Sequence, residues 1–230
     1  MHGQIEKTAD LNVRLENGLA CVRISCQYTI PHYIMTDIIY REWFGPTTFF
    51  DHPPHPTPST MRTHFPTLLH ESPEDNYEPL IRPSTRGETI AQLHNRVAAA
   101  LEGIIADVDA EIKALEENQP PEQRTSKAIL MCGHAAPLIA MGRALTGKMP
   151  EDSSVEDFFV FTAGLTTFRR RGAAIGGEVR VGGGVLADGT KLCRSKGVPE
   201  WENGRGVGGG WDCVSNGDCS FLSGGAERGW

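Results

Sequence analysis

The stretch Lys127–Gly147, KAILMCGHAAPLIAMGRALTG, decides the fold class. Ala128 to Cys132 is short, continuous and apolar, as expected of a strand buried on both faces of an α/β sheet. Ala136 to Leu145 carries apolar residues at helical spacing. Pro137 suits the first turn of that helix, where its missing N–H has no intrahelical partner. His134 therefore falls in a strand-to-helix turn. In an open parallel sheet such a turn lies at the carboxyl end of a strand, where ligands bind and where the N–H groups of the helix start favour an anion. Two roles are open to His134 on this geometry: a ligand-binding group, or a histidine that caps the turn through a backbone carbonyl.

Upstream, RGETIAQLHNRVAAALEGIIADVDAEIKALEEN predicts a long helix over 87–117. Ile90, Leu93, Val97, Leu101, Ile104, Ile105, Val108 and Ile112 mark one face, and Thr85 or Thr89 caps the start. His94 and Arg96 lie on its flanks and are expected to serve the surface or helix packing. Downstream, DFFVFTAGLTTFRRR has the β-rich composition of another strand, and Arg169, Arg170 and Arg171 read as its solvated end. Residues 172–210 hold half of the 26 glycines, too many to order cheaply, and predict a flexible insertion. That stretch contains neither phosphate-cradling glycine motif. Asn216-Gly217 is the strongest hairpin-turn signal in the chain. With that turn Cys213 and Cys219 point to opposite faces and form no disulfide with each other.

The 230 residues suffice for one α/β domain, with 39% hydrophobic and 22% charged residues. The net charge of −7 argues against direct nucleic-acid binding. The polar N-terminus and the lack of any membrane-length apolar run predict no membrane segment and an intracellular protein, cytoplasmic or nuclear. The six cysteines are scattered without a paired C-x-x-C set, so neither zinc nor a disulfide framework is expected. His52 and His55, in the proline-dense stretch DHPPHPTPST, have no third ligand in view and read as loop residues.

AILMCGHAAPLIAMGRALTG, preceded by GETIAQLHNRVAAALEGII, resembles the C-terminal half of the histidine phosphatase, or phosphoglycerate mutase-like, superfamily. A G-E-[ST] turn there opens a long helix, and a strand ends in the second catalytic histidine, which His134 matches. The chain is most similar to a fungal branch that includes the histidine-phosphatase subunit of the RNA polymerase III factor TFIIIC. ENGL with EWFG, HAAPLIAMGRALTGKMPED and GGGWDCVSNGDCSFLSGG carry that similarity. The resemblance implies a three-layer αβα fold, truncated at the N-terminus, over a single partial domain spanning 1–230.

It also implies phosphoryl transfer. In intact relatives a neutral histidine attacks phosphorus, arginines and the second histidine stabilise the equatorial oxygens, and a carboxylic acid protonates the leaving group. His134 would be the stabilising histidine, with the Ala135 N–H donating beside it. Glu16 would be the acid, counted back from EWFG. No metal or organic cofactor is implied; the ligand would be phosphate or a phosphomonoester. The strand ending in R-H-G, which supplies the nucleophile and one clamping arginine, has no counterpart here, and neither does the second arginine in S-P-x-x-R. His2, in MHG, lacks the preceding strand and arginine. The expectation is an inactive phosphatase relative; the alternative is a non-enzymatic subunit with protein partners in a TFIIIC-like complex.

Residues 21–41, CVRISCQYTIPHYIMTDIIYR, interrupt the pattern: without them VRLENGLA joins EWFG. They are expected to be an insertion, either a retained short intron or a real β-hairpin. A mature message that still encodes 21–41 would exclude the intron.

Overall fold

A computed structural model describes residues 11–16, 21–26, 32–36, 43–52, 60, 63, 78–172 and 181–227, the first three segments at the level of the backbone. The protein is mixed α/β. The main sheet has four strands in the order β1 (Leu11–Glu16), β2 (Cys21–Cys26), β3 (His32–Thr36), β5 (Ala128–Met131). β1, β2 and β3 pair antiparallel in sequence, and β3 pairs with β5 in parallel, His32 opposite Ala128 and Met35 opposite Met131. The 21–41 segment thus supplies two of the four strands, one of them the partner of β5.

β5 itself departs from the expected doubly buried strand. Among the described strands it is an edge of the sheet, Ile129 and Met131 pack against the core, and Leu130 on the other face is 39% exposed. The apolar run gave no period to distinguish a two-sided strand from a one-sided one, and only the helices laid on one face decide between them.

Those helices are α1 (Ile90–Glu116) and α2 (Ala135–Thr146). Thr89 caps α1 with a reciprocal capping box: its hydroxyl accepts from Gln92 N, and Gln92 Oε1 accepts from Thr89 N. The stripe Leu93, Val97, Leu101, Ile104, Ile105 and Val108 is buried, and α2 adds Ala140, Met141, Ala144 and Leu145 to the same core. Gly147, left-handed at φ 74°, ends α2 and donates its N–H to Arg143 O.

Two short ribbons complete the fold, β4 (Ile81–Arg82) with β7 (Lys191–Leu192), and β6 (Leu165–Arg170) with β8 (Trp211–Asp218), both antiparallel. The glycine-rich stretch is packed rather than a flexible insertion over its described part, 181–210. Val198, Trp201 and Val207 enter the core, and Gly206 approaches the end of α2 so closely that a β-carbon would run into the Leu145 carbonyl. Its glycines permit close backbone approach and positive φ, which composition alone does not separate from flexibility.

The Asn216-Gly217 hairpin does not form. β8 runs through both residues and pairs with β6, with register shifts on either side of Thr167. Gly217 takes φ 64° inside the strand, its N–H donating to Thr166 Oγ1. A residue pair tolerant of positive φ serves a bulge as readily as a turn when a partner strand is already present. Cys213 and Cys219 are both free thiols.

Candidate functional site

His134 is the residue before the first turn of α2, with the extended backbone of an N-cap (φ −79°, ψ 166°), and its side chain makes no cap hydrogen bond. The first intrahelical bond runs from Leu138 N to His134 O at 3.0 Å. The N–H groups of Ala135 and Ala136 precede it, and Pro137 has none to offer. His134 is half-buried and Ala135 is buried. This is the positive end of the helix dipole. Cys132, two residues before, is half-buried, and burial pushes its thiol up from the ordinary value, which leaves it a poor nucleophile.

Glu16 closes β1. Register places it beyond Leu15, which pairs with Val22; Val22 pairs with Thr36, and Thr36 follows Met35, the partner of Met131. β1, β3 and β5 therefore run in the same direction, and Glu16 and His134 share the carboxyl edge of the sheet. Three strand spacings of about 4.8 Å separate their backbones by roughly 14 Å. An acid and a phosphoryl-stabilising group must both reach one substrate within hydrogen-bond distance. The strand order brings these two to one edge and does not bring them together.

The EWFG and GET motifs, some forty residues apart, do meet. Trp43 Nε1 donates to Glu88 O at 2.9 Å, Glu88 N donates to Phe44 O at 3.0 Å, and a β-carbon on Gly87 (φ 75°) would collide with Gly45. EWFG and GET thus form one joint at the start of α1, with the described residues of each in contact.

Buried charge is concentrated elsewhere. Glu88 and Arg96 are both buried and form a bidentate pair, Arg96 Nε at 2.9 and 3.0 Å from the two carboxylate oxygens. Arg143, 2% exposed, holds both Asp157 oxygens through Nε and Nη2 and donates to Ser153 O and Val155 O. Its Nη1 lies 3.3 Å from His94 Nε2, while His94 Nδ1 lies 2.7 Å from Ile90 O. His94 is 3% exposed, and desolvation, opposed by the Ile90 carbonyl and assisted by Arg143, lowers its pKa below the ordinary histidine value.

Neither His94 nor Arg96 is a surface residue. A signal existed for His94, which stands in the i, i+4, i+7 row of Ile90, Val97 and Leu101. For Arg143 and Asp157 no local pattern links the two.

The basic run Arg169–Arg171 sits at the end of β6 with Arg169 and Arg171 exposed, as expected of a solvated strand end, and two of its guanidinium groups also carry partners. Arg170 is paired with Asp109 at 2.7 Å and donates to Gly208 O; Arg171 holds Asp212 and caps α2 at Thr146 O. His52 stacks on Phe44 at 4.3 Å, edge-on to Phe50; His55 lies outside the described residues, as does His2. Among the described residues no group of three histidine, cysteine or acidic side chains is placed to hold a metal. No helix among them is long and apolar enough to cross a membrane.

No protein-family model matches the chain, and no curated protein matches it significantly.

Proposed function

We propose that the chain is a histidine phosphatase-like domain, of the three-layer type in its relatives, that does not turn over phosphomonoesters. The observation that carries this is the engagement of most described arginines: of the ten whose side chains are described, seven, Arg86, Arg96, Arg143, Arg170, Arg171, Arg194 and Arg205, hold a carboxylate. A guanidinium already engaged by a carboxylate is not available to clamp a phosphate. The contact between EWFG and GET, and the position of His134 between β5 and α2, support the family resemblance. Among the described histidine side chains, His94 is bonded to Ile90 O and Arg143, and His52 packs against two phenylalanines.

His134 and the Ala135 N–H retain the capacity to hold a small anion at the helix start. Covalent phosphoryl transfer also needs a nucleophile, and groups that act as a unit fail as a unit. The purified chain is expected to hydrolyse p-nitrophenyl phosphate no faster than buffer, with His134→Ala indistinguishable from it. Robust turnover abolished by His134→Ala would overturn the inactivity, and His2 would then be the first nucleophile to substitute.

A second reading, a non-enzymatic subunit of a TFIIIC-type assembly, is favoured by exposed aromatic surface: Phe49 is 93%, Phe50 59% and Phe221 58% exposed. Side chains of that size on the surface are typical anchors for a protein partner. Reconstitution with the other subunits of such an assembly tests it; a chain that elutes separately from them under all salt conditions excludes it.

A further inference from the structure

The His94–Arg143–Asp157 cluster lies outside the candidate phosphoryl site and has chemistry of its own. A carbonyl only accepts and a guanidinium only donates, so the form of His94 that satisfies both neighbours is neutral, with the proton on Nδ1 toward Ile90 O and the Nε2 lone pair toward Arg143. Trp201 stacks on the same ring at 6.2 Å between centroids. Arg143 in turn is the anchor of the segment 153–157, through two backbone carbonyls and the Asp157 carboxylate. Phe158, next in the chain, lies directly over Gly142 of α2, and its ring meets Phe168 of β6. Asn216 of β8 ties down the other side, donating to Asp157 O and accepting from Phe159 N.

We propose that His94 is an acid-sensing switch. A proton taken up on Nε2 converts the acceptor of Arg143 into a second donor, sets two buried cations against each other, and releases the grip of Arg143 on 153–157, uncovering the Gly142 face of α2. The described charged groups acting on the ring come from three elements. Arg143 of α2 opposes the charge, while Asp157 of the loop and Glu202 of the glycine-rich segment favour it. Desolvation is the largest influence and, with Arg143, leaves the pKa below the ordinary 6.5.

The closed form therefore binds fewer protons than the opened one. The closed form has its full stability above pH 6.5, loses it as pH falls from 6.5 toward the lowered pKa of the ring, and changes no further below that. For one proton taken up, the opening constant rises about tenfold per pH unit inside this window.

Amide hydrogen exchange on the full chain between pH 7 and pH 4, expressed as protection factors, tests this beside an NMR titration of the His94 ring. Amides of 153–159 are expected to lose protection about tenfold per pH unit below 6.5, ahead of the α1 core, with the loss absent in His94→Gln. Equal loss in that variant, or unchanged protection while the ring titrates, would overturn the switch. The wild-type chain decides by itself should the variant fail to fold: the pH at which the loss levels off must equal the midpoint of the ring titration, and separate values overturn the proposal.

Discussion

The two ends of α2 are built on different principles. At its N-terminus the chain makes a local turn: strand, Gly133, His134, then two alanines and a proline, with the geometry of the cap written in consecutive residues. At its C-terminal half, Arg143 is met by His94 from α1 and Asp157 from the following loop, while Arg171, just past β6, donates to Thr146 O and the Gly204 N–H to the O of the capping Gly147. The first end carries the pattern that invites a functional assignment; the second carries the buried charge. The difference teaches that a motif marks where chemistry is sterically convenient. The strongest electrostatic commitments form where distant segments converge and water is excluded.

That contrast is open to disruption by substitution. Arg143→Met should have the largest effect, a loss of about 3 kcal/mol or more, because it strands Asp157 and the carbonyls of Ser153 and Val155 beside a buried apolar chain. Urea denaturation measures it; a loss below about 1 kcal/mol would mean the cluster is incidental to stability. Gly206→Ala comes next, at about 2 kcal/mol, since φ 68° disfavours any β-carbon and the Leu145 carbonyl occupies its place. Its thermal midpoint should fall by several degrees, and an unchanged midpoint would show that the glycine-rich segment is not seated on α2. His134→Ala should have the smallest effect, less than about 0.5 kcal/mol, because the ring is only half-buried and its removal leaves no buried charge stranded. A large loss there would move the structural weight to the N-terminal end and reverse the comparison.

Both helices were legible because each obeys one period over many residues. Of the two threonines the sequence offered as the cap of α1, the structure uses Thr89. His134 could be placed in its turn for the same reason. The residues that surround Arg143 could not. Their separations along the chain are 49 residues to His94 and 14 to Asp157, and no periodicity spans such gaps. The Asn216-Gly217 pair shows the converse error: a strong local turn signal was overridden once β6 offered a ladder of partners. The position of Glu16 relative to His134 depends on strand order, which pairing decides and composition does not.

By itself the sequence determined the α1 stripe, the strand-turn-helix around His134 and a threonine cap at the start of α1, because each is a matter of neighbours within one or two turns. Tertiary structure decided that β5 is an edge among the described strands, served by β3 from the 21–41 segment, and that the glycine-rich segment packs against α2. It also decided that Arg96 and Arg143 are buried beside specific carboxylates and that His94 is buried against Arg143. Burying a charge is costly unless a partner is delivered with it, and delivering that partner across dozens of residues is a property of the folded chain.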